Sequence, residues 1–468
     1  MPRSEPDPYR LQLERLEAWA RYEPRPHSRS AEKLAPLRAL LERLGQPQRG
    51  GRVVHIAGTN GKGTVAEMLN RLLLARGLST GLYTSPHLVD IRERIRIGGA
   101  LISRDAFTRG TAAVLDEAMR MPEREGLSYF DLLTAIGFVA FRGAGTEWRV
   151  LETGLGGTAD ATNVSDKDLC VLTPIGHDHA EVLGEELKAI ARQKMGIVSP
   201  GTPAVLGKQP EELADWMAGE LERQASRAIQ GAGIAIVIAG DDPEAVRLRW
   251  PGGPEVVVPL PRFLQTGPRL DGAATALTAL DTLFGTPTGP AEAAARARTA
   301  LETPLPGRLQ VLENVALASP PETAFERLVL DGAHNPEALE ALARHLARWK
   351  ISGYTLLFAM LRDKMVDRAA EPLRSILAGA ERIVGVALPF SRAPRPAELQ
   401  AYLEALRPPG GAGPVPVAPP AEALAMAAGE PERPVVAAGS LWMIGELMRL
   451  LVLPPVAPEP GGAAPAPQ

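Results

Sequence analysis

Residues 56–65 read IAGTNGKGTV, set between the β-branched run RVVHIA (52–57) and the helical pattern TVAEMLNRLLLARG (64–77). Gly58, Gly61 and Gly63 permit a tight turn that aims backbone N–H groups at an anion. The helix that follows adds the positive end of its dipole. Lys62 is placed to reach β and γ phosphates, and the Thr64 hydroxyl is a candidate ligand for phosphate or Mg2+. Thr59 and Asn60 complete the loop. The spacing is not a strict G-x-x-x-x-G-K-[ST], because Ile56 fills the first glycine slot and Gly63 separates lysine from hydroxyl. A glycine-rich turn with an exposed lysine is the bland alternative; the strand before and helix after favour a phosphate loop.

Outward from this loop the chain keeps alternating strand and helix patterns. WRVLE (148–152), LCVLTPI (169–175) and IAIVIAG (234–240) read as buried strands, and EELKAIARQKMG (185–196) as a helix. A second unit starts near residue 304, after TPLPGR, and repeats the alternation through FERLVLDG, YTLLFAM, ERIVGVAL and PVVAAGS. The segment 407–422 reads as a loop or a short strand between prolines. The expected architecture is α/β, with a mostly parallel sheet in residues 1–303 and a Rossmann-like unit in 304–453. No short-period repeat is present, which excludes a solenoid.

The 468 residues are about three times the usual single-domain length of ~150. Apolar residues make up 45% and charged residues 23%, enough for more than one core and inconsistent with wholesale disorder. A net charge of −4 and 4% aromatics argue against nucleic acid and anionic membranes as partners. Cys170 stands alone in LCVL, so it is expected as buried core filler rather than a nucleophile. The start MPRSEPDPYR lacks an apolar targeting segment, and no apolar run is long enough to span a bilayer. A soluble cytoplasmic protein is expected. The 46 glycines and 44 prolines belong in loops and tails, with 1–8 and 454–468 expected to be disordered.

Five motifs follow one another in order: AGTNGKGT (57–64), YTSPHLVDIRERIRIGG (83–99), ETGLGGTADATNV (152–164), LTPIGHDHAEVLG (172–184) and DGAHNP (331–336). Together they resemble the folylpolyglutamate synthase and dihydrofolate synthase family of the Mur-ligase superfamily, over residues 30–450. The resemblance implies an ATP-dependent amide ligase with an N-terminal P-loop ATPase domain and a C-terminal Rossmann-like domain, working as a monomer. A folate or pteroate carboxylate becomes an acyl phosphate, which L-glutamate's amine attacks. Forcing ATP and a carboxylate together calls for divalent cations and fixed dipoles.

By resemblance Ser85, Glu152, His179 and Lys194 hold Mg2+, with Lys194 carboxylated on its side-chain nitrogen. Catalytic weight falls on Lys62, Glu152, His179 and Lys194. Gly58 to Thr64, Arg308 and Asp331 bind ATP, and Phe130, Asp131, Ala159, Asp160, Ala161 and His334 face the acceptor. Independently, Glu152 at a strand's carboxyl end, beside a glycine turn, stands where α/β ligands bind. Lys364 reads either as a phosphate or amino-acid contact or as a solvated lysine.

Several positions depart from the family pattern. Arg269, Leu270 and Ala273 stand where His, Gln and an adenine-reading Asn are usual. Thr158 and Ala159 replace Arg-Leu, Thr153 replaces an apolar residue, and Asp131 replaces a glutamate. Two other readings follow: a Mur-like ligase with a non-folate acceptor, or a catalytically weak nucleotide-binding relative.

Overall fold

The computed structural model describes residues 7–21, 31–178, 184, 186–230, 233–239, 244–319, 324–409 and 413–453. The expected disordered tail 454–468 lies outside them, as do residues 1–6; Pro8 already opens a helix, Pro8–Arg21.

The phosphate-loop unit is built on an eight-stranded sheet. Its strands are β1 (Arg52–Ala57), β2 (Thr80–Tyr83), β3 (Ile95–Ile97), β4 (Ala100–Leu101), β5 (Trp148–Glu152), β6 (Leu169–Leu172), β7 (Ala204–Leu206) and β8 (Ala228–Gln230), in the order β4-β3-β2-β5-β1-β6-β7-β8. Every pairing is parallel except those of the edge hairpin β3–β4 and of β3 with β2. Helices cover both faces, so β5 and β6 are buried along their whole length and read as continuous apolar runs. Val54, Ile56, Val150 and Val171 face the helices Lys62–Ala75 and Gly267–Phe284, and each such side chain stabilises the fold by ~1.5–3 kcal/mol.

The run at 234–240 departs from expectation. Ala235–Ile238 (β9) pairs with Ala245–Arg249 (β10), which pairs with Glu255–Pro259 (β11), in a separate antiparallel sheet. Its residues alternate between exposed and half-buried, because one face packs on the first core while the other meets water.

The second unit holds a six-stranded sheet of β12 (Gln310–Ala316), β13 (Ala324–Asp331), β14 (Tyr354–Phe358), β15 (Ala380–Val386), β16 (Val417–Ala418) and β17 (Val435–Ala438), ordered β12-β13-β17-β14-β15-β16. Only β12 runs antiparallel to its neighbour. Cys170 is buried on β6, where burial pushes its thiol up to about 12; it is core filler. No helix among the described residues is long and apolar enough to cross a membrane.

Candidate active site at the seam between the two units

The loops following β1, β5 and β6 leave the carboxyl edge of the first sheet side by side, the usual ligand position in α/β sheets. The loop after β1 turns through Gly58 (φ 156°) and Gly61 (φ 84°), the latter in the left-handed region at the helix N-cap. Both Thr59 and Asn60 donate their backbone N–H to Pro174 O, and Thr59 Oγ1 donates to Gly176 O. These two residues therefore latch the loop to the segment after β6. The amides left for an anion are those of the first helical turn, at Lys62, Gly63 and Thr64.

Lys62 folds back, its Nζ donating to Gly58 O and Thr59 O at 3.1 Å each. Lys194 Nζ donates to the same Gly58 carbonyl at 2.7 Å. Burial first, and then the neighbouring Lys62 charge, bring Lys194 down to about 7. Lys62 is also lowered by burial.

Gly63 marks the centre of the site. A Cβ there would stand 2.7 Å from Arg308 Nη2 and 3.4 Å from Glu152 Oε2, so a carboxylate and a guanidinium close over the same point. Ser85 N donates to Glu152 Oε2 at 3.0 Å. Burial raises Glu152, with Lys62 and then Arg308 opposing it. This cradle of one hard oxygen donor beside an anion-binding helix start fits a divalent cation carried by a phosphate. His179 lies outside the described residues, and among those described no three His, Cys, Asp or Glu cluster. Of the described side chains Ser85 and Glu152 would hold the ion; Lys194 Nζ, occupied with Gly58 O as an amine, would join them only in its carboxylated form.

The GLGG turn packs directly on the Lys194 helix, Leu187–Met195. Thr158 N and Oγ1 both donate to Gln193 O, at 3.0 and 3.2 Å, capping that helix. Asp160 shapes the turn: Oδ2 accepts from Leu155 N at 2.9 Å, and Oδ1 accepts from Thr162 N and Oγ1. Thr162 Oγ1 in turn meets His55 Nε2 at 2.7 Å inside the sheet. Ala161 is buried and Ala159 half-buried beside it. Phe130 lies across the turn, its ring atoms 2.6–3.0 Å from where a Cβ on Gly154 would be. Asp131 caps its own helix, accepting from Ser128 N and Oγ at 2.8 and 2.7 Å.

From the second unit, Asp331 accepts from Leu309 N and Ala333 N at 2.6 Å each. It ties the linker carrying Arg308 to the DGAHN turn, and burial lifts its carboxyl to about 6. His334 Nε2 lies 3.7 Å from Asp178, which also pairs with Lys364. Lys364 is thus buried and partnered, not solvated. Asn335 and Asn60 exchange amide hydrogen bonds, and Glu337 accepts from His177 N at 2.9 Å.

Similarity to known proteins agrees with this geometry. Residues 314–450 match the family model described as dihydrofolate synthetase, C-terminal domain. The dihydrofolate synthase/folylpolyglutamate synthase of Mycobacterium tuberculosis is 34% identical over 377 residues, 74% of each chain. That of Escherichia coli is 32% identical over 366 residues, 77% of this chain and 80% of the relative. The chain belongs to the folylpolyglutamate synthase/dihydrofolate synthase family. The M. tuberculosis folylpolyglutamate synthase complexed with ADP and AMPPCP superposes with a TM-score of 0.79 at 28% identity, covering 94% of this chain and 98% of that one. E. coli FolC in complex with DHPP and ADP gives 0.75 at 27%, covering 94% and 97%.

Two family departures have structural explanations. Arg269 Nη1 donates to Leu301 O and Thr303 O at 2.7 Å each, capping the helix Pro290–Leu301, and Ala273 is wholly buried in the first core. Thr153 Oγ1 is buried without a hydrogen-bond partner, and nothing in the structure explains it. Sequence reasoning missed Glu337 and His177 as a pair. Their only sequence signal was a glutamate early in the helix at Pro336, which also suits a helix dipole.

Proposed function

We propose that the chain activates a folate-type carboxylate as an acyl phosphate and delivers it to the amino group of L-glutamate. The observation that carries this is the cradle at Gly63, where Arg308, Glu152 and the helix start converge between the two units. Membership in a family of ATP-dependent ligases supplies the reaction class.

The acceptor carboxylate oxygen attacks the γ phosphorus of ATP, and ADP leaves as the P–O bond breaks. Glutamate's amine then attacks the acyl carbon, loses its proton, and expels phosphate. Amides at 62–64 and Arg308 hold the transferring phosphoryl group, and Lys62 swings from Gly58 O to its oxygens. Ser85 and Glu152, with His179 by resemblance, would hold magnesium, which when bound would supply neutralisation of charge between the two anions. Lys194, held near neutral pH as a free amine, suits reaction with carbon dioxide: its nitrogen forms the carbamate C–N bond and releases a proton. Asp331, an ATP-binding residue by resemblance, also holds the linker that carries Arg308 through Leu309 N. Phe130 and the turn at 154–161 form the wall that meets the acceptor, with His334 facing it from the second unit. The enzyme in this reading is a cytoplasmic monomer.

Glutamate-dependent ADP release with dihydropteroate and with tetrahydrofolate tests the reading, and turnover is expected with at least one. Silence with both acceptors, in protein that binds Mg·ATP, sinks it.

A further inference from the structure

The edge of the second sheet carries an apolar groove. β12 is the outermost strand, so one of its sides has no strand neighbour. A groove runs along it, lined by Pro261, Phe263 and Leu264 from the first unit and by Val311, Leu312, Val315 and one carboxylate, Glu313, from β12. Val311 packs toward one core of the sheet and Leu312 and Val315 toward the other, so the groove follows the strand's edge rather than a face. Asn314 has φ 53°, a kink that interrupts the strand's pairing between Glu313 and Val315. Open apolar edges of this kind are normally covered.

The described chain ends heading into this groove. Leu451 bridges Leu317 in antiparallel sense, Ala318 N donates to Leu450 O, and Val452 N donates to Ala316 O at 2.9 Å. As the tail number rises the β12 number falls, so the next residues point along β12 toward Val311 and Phe263. The sequence that follows Leu453 is PPVAPEP (454–460). In the antiparallel alternation Val452 donates to β12, and the next position to do so is Pro454, which has no N–H. The ladder therefore stops there. A proline-rich segment at ~3.1 Å per residue spans the groove in about five residues. As a polyproline II helix it suits an apolar surface of this kind, here one of valine, leucine, proline and a single aromatic, Phe263.

We propose that residues 454–460 of this same chain occupy the groove between Phe263 and β12, with Val456 and the flanking prolines as the apolar contacts. The segment then bridges both units, since each contributes a wall.

Amide hydrogen exchange at residues 310–316 tests this on the full chain, a chain stopped after Leu453, and the full chain carrying Val456→Asp. The chain stopped after Leu453 keeps every residue of the described cores, so it retains the fold. Exchange is expected to be at least tenfold slower in the full chain than in the other two, with Val456→Ile retaining protection. Equal exchange in all forms overturns the proposal. Protection that grows with protein concentration, with a dimer in sedimentation, assigns the groove to a second copy and also overturns it.

Discussion

Gly157→Ala tests whether the GLGG turn sets the position of Lys194. The added Cβ would stand 2.6 Å from Gln193 O, 2.7 Å from Lys194 O and 2.9 Å from Lys194 Cα, all backbone atoms that cannot swing aside. An ordinary carbon–oxygen contact begins near ~3.3 Å, so turn and helix must part by roughly 0.6 Å. Overpacking of this kind costs ~1–3 kcal/mol. The two Thr158 bonds to Gln193 O lengthen with it, at ~1 kcal/mol each if lost. The total is ~2–4 kcal/mol, which lowers the melting temperature by about 3–6 °C in a unit of roughly 300 residues, whose unfolding entropy is ~0.6 kcal/mol/K. The displacement is carried to Lys194 Nζ, which touches the phosphate loop through Gly58 O. Since a shift of ~1 Å at a catalytic group costs ~100-fold, kcat is expected to fall ~10–100-fold. Calorimetry and glutamate-dependent ADP release measure the two effects. Gly143→Ala, with nothing within 4 Å of its added Cβ, is the control and should change neither. A Gly157→Ala enzyme with wild-type kcat and melting temperature would refute the packing argument.

Arg308→Ala should lower kcat by ~100-fold or more, while leaving the melting temperature within a degree or two, because its work is on phosphoryl charge. Gly63→Ala should raise the KM for ATP with little loss of stability, since its Cβ displaces only the flexible end of Arg308; steady-state kinetics with melting curves checks both. Arg269→Ala should cost ~2–4 kcal/mol in urea unfolding by orphaning Leu301 O and Thr303 O, with the KM for ATP unchanged. A raised KM there would instead give Arg269 a nucleotide role. Asp331, lifted to about 6 from ~3.9 in the unfolded chain, binds its proton more tightly when folded. Its favourable contribution is therefore present below pH 4 and lost as pH rises through 6. Melting temperatures of wild type should fall relative to Asp331→Asn across pH 4–6, and parallel curves would contradict the assignment.

The elements that place the site were legible because each rests on a local pattern. β1, β5 and β6 are short, mostly apolar runs ending in glycine or polar turns, and the phosphate loop announces itself by Gly58, Gly61, Gly63 and Lys62. IAIVIAG was not legible in detail, because an apolar run reads the same whether one face or two are covered. The acidic residues show the same limit. Asp131, Asp160 and Asp331 carry the right chemistry in the right motifs, yet each holds a nearby backbone N–H, of Ser128, Leu155 and Leu309 respectively. A carboxylate in a turn is equally a ligand contact and a clamp, and only the positions of the N–H groups around it decide.

That distinction bears on the departures from the family pattern. Thr158 replaces a longer side chain and caps the Lys194 helix with its hydroxyl. Arg269 caps the helix Pro290–Leu301, and Ala273 fills the space between the helices Gly267–Phe284 and Lys62–Ala75. The close approach of those helices is visible at Gly272, where a Cβ would come within 2.8 Å of Thr64 Cγ2. A larger amide at 273 would have to be accommodated in a position with no exposed surface. Thr158, Arg269 and Ala273 thus serve the packing and capping of helices, while Lys62, Ser85, Glu152, Lys194 and Arg308 lie together at the carboxyl edge of the first sheet. Changes confined to capping and packing positions, with the residues proposed to act on phosphate and metal still present, are what the proposed ligase activity would tolerate. A weakened nucleotide binder would be free to lose Arg308 and Glu152 first, since an unneeded buried carboxylate raised by desolvation costs stability.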